Sequence, residues 1–257
     1  MNTFDQLKNE MAAQSDGLAF KSEWIQHLHD NIPLYARLPQ ALQGALHQKI
    51  AQFITTTHFE GCEGIELTAP IVLSVSGQAC LLVLNHDGAP YSELHTVLLY
   101  PSAFSSTMET FESDGTFVET TVLCEGESWE DGTVRLAWDS VTAGARNISD
   151  GHNVTFHEFA HQLDALDGDI DGVPPLPSEE AFYTWAGVLG EHCAEFIERV
   201  SQGLRTVLDP YAATNPGEYF AVATETFFEK PKQFKKKHPD LYAELQSYYQ
   251  LDPASWF

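Results

Sequence analysis

Apolar side chains recur at helical intervals through the first third of the chain. Leu42, Leu46, Ile50 and Phe53 or Ile54 line one face of a predicted long helix. Trp24, Ile25 and Leu28 mark a shorter helix that Ser22 can cap and that the Pro33 to Pro39 stretch ends. The run Ile71 to Leu84 is apolar on every face, so periodicity alone does not assign it. Thr68 as a cap, Pro70 in the first turn and a length beyond that of an ordinary strand favour a buried helix. Between about residues 95 and 142 the pattern changes to short β-rich runs, Thr96 to Tyr100, Thr116 to Leu123 and Thr133 to Trp138, separated by the clusters Ser113-Asp114-Gly115 and Glu130-Asp131-Gly132. These predict a small, mostly antiparallel sheet. After Asp150-Gly151 helical periodicity returns over Asn153 to Leu166, Ser178 to about Gly203, Asn215 to Glu229 and Pro231 to about Gln250. The fold class is α+β, with a helical N-terminal part, residues 1–85, packed on a core of residues 86–257 as one compact domain.

Composition agrees with a packed core, since 43% of the 257 residues are hydrophobic and 19% charged. Charge adds a constraint of its own. The net formal charge is -24, and residues 50–198 hold 25 of the 37 acidic residues but two of the 13 cations, Arg135 and Arg146. Such a surface repels phosphate, which argues against direct nucleic-acid or anionic-membrane binding and favours cationic partners. No run reaches the ~18 to 20 apolar residues that span a bilayer. Met1 to Gly17 is polar and lacks the apolar stretch of a secretory signal. Cys62, Cys80, Cys124 and Cys193 stand too far apart for a CxxC pair or zinc-finger spacing and read as buried free thiols. A cytoplasmic location is expected.

The chemistry concentrates in Asn153-Val-Thr-Phe-His157-Glu158-Phe-Ala-His161-Gln-Leu-Asp164. Asn153 can cap this helix, and Phe156, Phe159, Ala160, Leu163 and Leu166 form its apolar stripe. His157 and His161, four residues apart, project together from a neighbouring face, where two imidazoles can hold one Zn2+. Glu158 stands one step round, placed to take a proton from water and return it to a leaving amine. This is the HExxH metallopeptidase pattern. With eleven histidines in the chain it arises by chance about four times in a hundred. A capped amphipathic helix directly after a β region, with the histidines off the core stripe, sets it apart from a chance match.

A catalytic zinc needs a third protein ligand and an open fourth position. Asp164 and Asp167 stand where HExxHxxGxxH would have Gly and His, so that arrangement is excluded. Asp164, Glu218 and Glu225 are the other candidates. Asp164 projects about a turn from His161 and suits better the role of accepting an N–H from a ligand histidine, or that of a plain helix-surface carboxylate. Glu218 and Glu225 share a face of one helix, about 10 Å apart along its axis, so they cannot both bind one ion. Glu218 also fits a capping box behind Asn215 and Pro216, and Glu225 a solvated or supporting carboxylate. Spacing leaves the choice between them open.

The HExxH segment, Leu136-Ala-Trp-Asp139, Asp150-Gly-His-Asn153, Asp167-Gly168 with Asp171-Gly172-Val-Pro174, and Tyr211-Ala-Ala-Thr-Asn-Pro-Gly-Glu218-Tyr-Phe-Ala-Val together resemble the Mlc titration factor A family of bacterial zinc metallopeptidases. Phe59-Glu-Gly61 through Gln78-Ala-Cys80-Leu-Leu and Leu99-Tyr-Pro-Ser-Ala-Phe104 are similar to the same family, so the likeness spans about residues 34–257. It implies a zincin fold with glutamate as third ligand. It further implies His157, His161 and Glu218 as ligands of one Zn2+ per chain, Glu158 as general base and Tyr211 as the phenol that stabilises an oxyanion. Implied too are aminopeptidase-like action on peptides and binding of a transcriptional repressor of the Mlc type. Gly217 and Ser140 depart from the family's pattern without touching this set.

Two further signals carry less. Asp167-x-Asp169-x-Asp171-Gly172 imitates half of an EF-hand loop but has Ser178 at its twelfth position, and reads as a polar turn. The lysines between Lys230 and Lys237 read as a solvated helix face. The leading expectation is a zinc-dependent peptidase. The alternative is a non-catalytic regulatory protein with a structural zinc that sequesters a basic or DNA-binding partner.

Overall fold

The computed structural model describes residues 3–14, 20–89, 91–111, 117–129 and 131–257. The Ser113-Asp114-Gly115 cluster, Thr116 and Glu130 lie outside them. The chain opens with α1 (Thr3–Gln14), α2 (Ser22–Asn31), α3 (Pro33–Arg37) and α4 (Gln40–Thr56), then β1 (His58–Gly61) and α5 (Ala69–Leu82). β2 (Thr96–Tyr100), β3 (Phe104–Phe111), β4 (Phe117–Cys124), β5 (Gly126–Trp129) and β6 (Thr133–Ala137) follow. The remainder is helical: α6 (Trp138–Arg146), α7 (Val154–Asp164), α8 (Glu179–Ser201), α9 (Pro216–Glu229), α10 (Pro231–Lys237) and α11 (Pro239–Tyr249).

Most predicted helices form, with local differences at their starts. Lys21, not Ser22, occupies the N-cap of α2, and neither it nor Thr68 before α5 makes a side-chain capping bond. Pro33 opens α3 instead of only ending α2, because the ring that forbids a helix interior suits its first turn. The apolar run is helix α5, buried throughout Val72 to Leu82. α1 lies within the expected helical N-terminal part without having been singled out there, and Phe4, Leu7 and Met11 give it a buried stripe at helical spacing. The Lys230 to Lys237 stretch presents the expected solvated face, with Lys232, Lys235, Lys236 and Lys237 exposed, but some of its ammonium groups also find partners. Lys230 donates to Val207 O, Lys232 to Phe257 O, and Lys235 pairs with Asp252, so these cations tie down neighbouring backbone and the C-terminal segment.

The sheet is where prediction and structure part. The main sheet has the order β1-β2-β6-β5, with β1–β2 and β2–β6 parallel and only β5–β6 antiparallel; β3 and β4 form a separate antiparallel hairpin. The sheet is mixed and not mostly antiparallel. Short polar clusters between runs do signal hairpins, but β1 is too short to register in sequence, and its connection to β2 through α5 is the long crossover that parallel pairing requires. Phe59, Val97 and Val134 lie abreast across β1, β2 and β6, and Leu99 lies beside Leu136, giving the sheet one apolar face for the helices. On the other face Arg135 pairs with Glu127 at 2.8 Å, donates to Tyr100 Oη at 2.9 Å and lies over the rings of Phe104 and Trp129. One of the two cations in the acidic middle segment is thus internally engaged.

One continuous cluster of buried apolar residues runs from Phe4 to Leu251. Phe53 of α4 sits at a junction within it, 5.8 Å from the rings of Phe59, Tyr91 and Phe159. It joins the N-terminal helices to the edge of the sheet and to α7. Phe53→Ala is expected to lower unfolding free energy by about 3–5 kcal/mol, measured by urea denaturation.

Candidate metal centre

Two buried helices far apart in sequence supply the site. α7 begins at Asn153, whose Oδ1 accepts the Phe156 N–H at 3.0 Å, and its stripe of Phe156, Phe159, Ala160 and Leu163 is buried. α9 begins at Asn215, whose Oδ1 accepts the Glu218 N–H at 2.9 Å, and it is buried from Tyr219 to Glu229. Both starts use the side-chain cap that leaves the first turn without orphaned donors. The two helices pack directly on each other, with α7 also against α5 and β5.

Their contact brings three donor atoms together. His161 Nε2 lies 3.2 Å from His157 Nε2, and Glu218 Oε2 lies 2.9 Å from the first-turn imidazole of His157 and 3.5 Å from that of His161. Among the described residues this is the one trio of His, Cys, Asp or Glu whose ligand atoms converge in this way. Glu218 Oε2 is buried and makes no well-aligned hydrogen bond despite its short distances. Ligand atoms about 2.0–2.2 Å from a tetrahedral Zn2+ stand roughly 3.3 Å from one another. The triangle therefore fits that ion, and the donor set of two imidazoles and a carboxylate suits it chemically.

The electrostatics favour positive charge at this point. Burial opposes a charge on His157, but the carboxylates of Glu218 and Glu225 outweigh it and carry the imidazole well above its ordinary pKa. Burial likewise opposes ionisation of Glu218, and the close imidazoles of His157 and His161 reverse this and hold it far below the usual carboxylate range. A site that retains a proton so firmly also attracts a metal cation in the proton's place.

Glu225 does not reach the triangle. Its Oε1 lies 2.8 Å from His157 Nδ1, the ring nitrogen turned away from Glu218, and so orients the imidazole. Asp164 behaves differently. It is fully buried, and its Oδ2 accepts the Gly172 N–H at 2.9 Å, while its Oδ1 and the Nδ1 of His161 are both without a partner. Asp164 anchors the loop after α7, and burial pushes its pKa up to about 7 against the pull of that N–H. The EF-hand-like segment is a polar turn, with Asp167 and Asp171 each accepting a backbone N–H two residues on.

Glu158 is only 6% exposed and faces β5. Burial raises its pKa, with the two histidines pulling the other way. Gly126 at the start of β5 makes room for it, since a Cβ there would come 2.5 Å from Glu158 Oε1 and 2.7 Å from its Cγ. Gln162 fixes the same strand by donating to Ser128 Oγ at 2.7 Å and Trp129 O at 3.1 Å. Tyr211, in a short 3-10 turn held by Asp209, is 54% exposed, and its hydroxyl lies 3.4 Å from Glu218 Oε1. Burial of its hydroxyl and the neighbouring Glu218 push its pKa up to about 12, so it stays a donor. Gly217 lets the loop close on α9, because a Cβ there would meet Ile170 Cγ2 at 2.8 Å.

Sequence reasoning missed several members of this neighbourhood. Gly126 carries no motif, and Gln162 and Gln78, although they lie in segments similar to the family, have no role of their own in that likeness. His152 bridges loosely between Glu125 at 3.6 Å and Glu225 at 3.8 Å. Glu229 carried a readable signal, an acid four residues after Glu225 among the apolar residues of α9. Burial pushes Glu229 up to about 9, with Asp150 and Glu225 adding to the effect and the Asn153 and Gly151 N–H groups opposing it.

A folded-state pKa of about 9 lies above the ordinary value of 4.5. The stability Glu229 contributes is complete below that ordinary value and is lost as pH rises towards about 9. The stability difference between Glu229→Gln and the wild-type protein is therefore expected to shift in favour of the variant between pH 5 and 9, measured by denaturation at a series of pH values.

The family model described as glucose-regulated metallo-peptidase M90 matches residues 5–250 of this chain. The match begins well before the span of likeness read from motifs and takes in most of α1. An uncharacterised protein of Synechocystis sp. is 39% identical over 90% of this chain and 84% of its own length. The Mlc titration factor A of Klebsiella pneumoniae (strain 342) is 34% identical over 90% of this chain and 86% of its own. That of Escherichia coli O1:K1 is 32% identical over 87% and 84%.

Proposed function

The chain belongs to the glucose-regulated metallo-peptidase M90 family, and on that premise we propose that it is a zinc-dependent, aminopeptidase-like peptidase with a zincin-type active site. The convergence of His157, His161 and Glu218 beside Glu158 carries this reading. These three side chains would hold one Zn2+ per chain. When bound, the ion supplies a Lewis acid that polarises a carbonyl and acidifies water.

The remaining work falls to the protein. Glu158, with its proton affinity raised by burial, takes a proton from the attacking water and delivers it to the departing amine. Tyr211 keeps its proton and donates a hydrogen bond to the oxygen on which negative charge develops. β5 has β6 on one side and, among the described residues, no strand on the other, so a peptide can lie along its free edge. Gln162 and the absent side chain at Gly126 keep that edge close to Glu158. Glu225 keeps His157 turned towards the metal.

The acid-rich middle segment contributes at longer range by attracting the free α-amino group of a short peptide. The free thiols of all four cysteines support a cytoplasmic setting. A second reading, that the protein binds a transcriptional repressor of the Mlc type, is favoured by the name its relatives carry. It is compatible with the first.

Glu158→Gln is expected to retain one zinc per chain and to lower peptide turnover by on the order of 10²–10⁴, read by metal analysis and fluorogenic aminoacyl substrates. Tyr211→Phe should lower kcat by on the order of 10²–10³ with KM little changed. Undiminished turnover in Glu158→Gln would exclude the mechanism. If repressor binding is a separate role, Glu158→Gln should bind the repressor as tightly as wild type in a pull-down. Finally, kcat/KM for cationic peptides should fall as salt rises from about 0.01 to 0.15 M, as the screening length shortens from about 30 to 8 Å. A flat profile would confine the charge to solubility.

A further inference from the structure

Asn153 makes more bonds than a helix cap needs. Besides the capping bond to Phe156, its Nδ2 donates to Gln78 Oε1 of α5 at 3.0 Å and to Glu229 Oε1 of α9 at 3.1 Å. Its backbone N–H donates to Glu225 Oε2. The other oxygen of Glu229 accepts the Gly151 N–H at 3.0 Å, and Gln78 is itself oriented by donating to Ser74 O at 3.1 Å. Gly144 of α6 closes a further side, since a Cβ there would come 3.0 Å from Asn153 Cα. Asn153, Gln78, Glu225 and Glu229 are each no more than 2% exposed.

Capping alone calls for one acceptor. Two carboxyl groups in a helical core are costly to bury, and apolar residues of similar volume often serve stability as well or better. Their arrangement has a geometric consequence instead. Glu225 and Glu229 stand four residues apart on α9, about 6 Å along its axis, and grip residues 151 and 153 at the start of α7. His157 lies one turn further along α7, and Glu218 about two turns earlier on α9. A slide or rotation of either helix would change the distances among the three converging atoms.

We propose that Asn153 and Glu229 are positioning residues for metal capture, a buried node that locks α7 in register with α9 and so sets the separation of the His157 and His161 nitrogens from Glu218. The proposal rests on reading that trio as a zinc site. It assigns Asn153 a task beyond its capping oxygen, and Glu229 a task that no contact with the trio itself explains.

Asn153→Ser separates the two tasks, because serine is also a good cap but lacks the amide that reaches Gln78 and Glu229. Glu229→Gln preserves shape while turning an amide donor towards one of two N–H groups. A control, Ile50→Ala in α4, lowers stability away from the node. For each full-length protein, zinc affinity is measured by competition with a chromophoric chelator, the Co2+ form by visible absorption, and the metal-free form by thermal melting. Both node variants should bind zinc at least about tenfold more weakly than wild type and show displaced Co2+ bands, whereas the control should melt earlier but bind zinc as wild type does. Node variants with the affinity and spectrum of the control would overturn the proposal. If Asn153→Ser does not fold, Glu229→Gln carries the test alone. A wild-type protein that takes up no zinc overturns the metal reading and the proposal with it, whereas normal zinc uptake with unaltered node variants overturns the proposal only.

Discussion

Three lone-pair donors on two helices must meet within about 3.5 Å, and nothing in either helix alone brings this about. His157 and His161 share a face of α7 by spacing, but Glu218 arrives from some 60 residues later on α9. The intervening loop, α8 and the turn bearing Tyr211 all have to close correctly. Asp164 holds the loop at Gly172, and the Trp185 indole donates to the Gly172 carbonyl at 2.9 Å. Gly172 itself needs its φ of +83°, and a side chain there would run into Pro216 O at the start of α9. The polar turn that imitates a calcium loop is thus a joint between the two ligand helices.

This arrangement explains why so many ionisable groups are buried. Glu158, Asp164, Glu225 and Glu229 are all under 10% exposed, in a core otherwise built of aromatic and aliphatic side chains. Each holds a defined partner or faces the metal triangle, and burial raises the pKa of Glu158, Asp164 and Glu229. The same low-polarity surroundings that make these groups costly strengthen every electrostatic interaction at the site. Stability is given up locally in order to hold a geometry. The large aromatic cluster around Phe53, Phe159 and Tyr91 on one side, and around Phe227, Phe228 and Tyr249 on the other, offsets that cost.

Much of this was legible from residues. Periodicity located α4, α7, α8 and α9, run length with Pro70 in the first turn located α5, and the HExxH spacing located both converging histidines and the carboxylate between them. Spacing left Glu218 and Glu225 as alternatives, because seven residues are about two helical turns and put both carboxylates on one face of the helix. Distance separates them: one carboxylate meets the imidazole edge that faces His161 and the other the opposite edge. The parallel pairing of β1, β2 and β6 was not legible, since β1 has four residues and its pairing is decided by a crossover through α5. Gly126 was silent for a related reason. Its significance is the space it leaves for Glu158, which no pattern along a single strand encodes.

The acidic excess now has a physical setting. Arg135 is engaged by Glu127 and a ring of aromatic side chains and does not offset the charge around β5 and α7. Cys124, at the end of β4, is held protonated mainly by burial, with Glu127 and Glu158 adding to the effect, and it stands outside the converging trio. X-ray absorption at the zinc edge tests the trio as a metal centre most directly. The expected result is one zinc per chain surrounded solely by nitrogen and oxygen at about 2.0–2.2 Å, with two of the neighbours showing imidazole scattering. A sulfur neighbour at about 2.3 Å, or a purified protein without zinc that cannot be loaded with it, would contradict the assignment of His157, His161 and Glu218 as the metal centre.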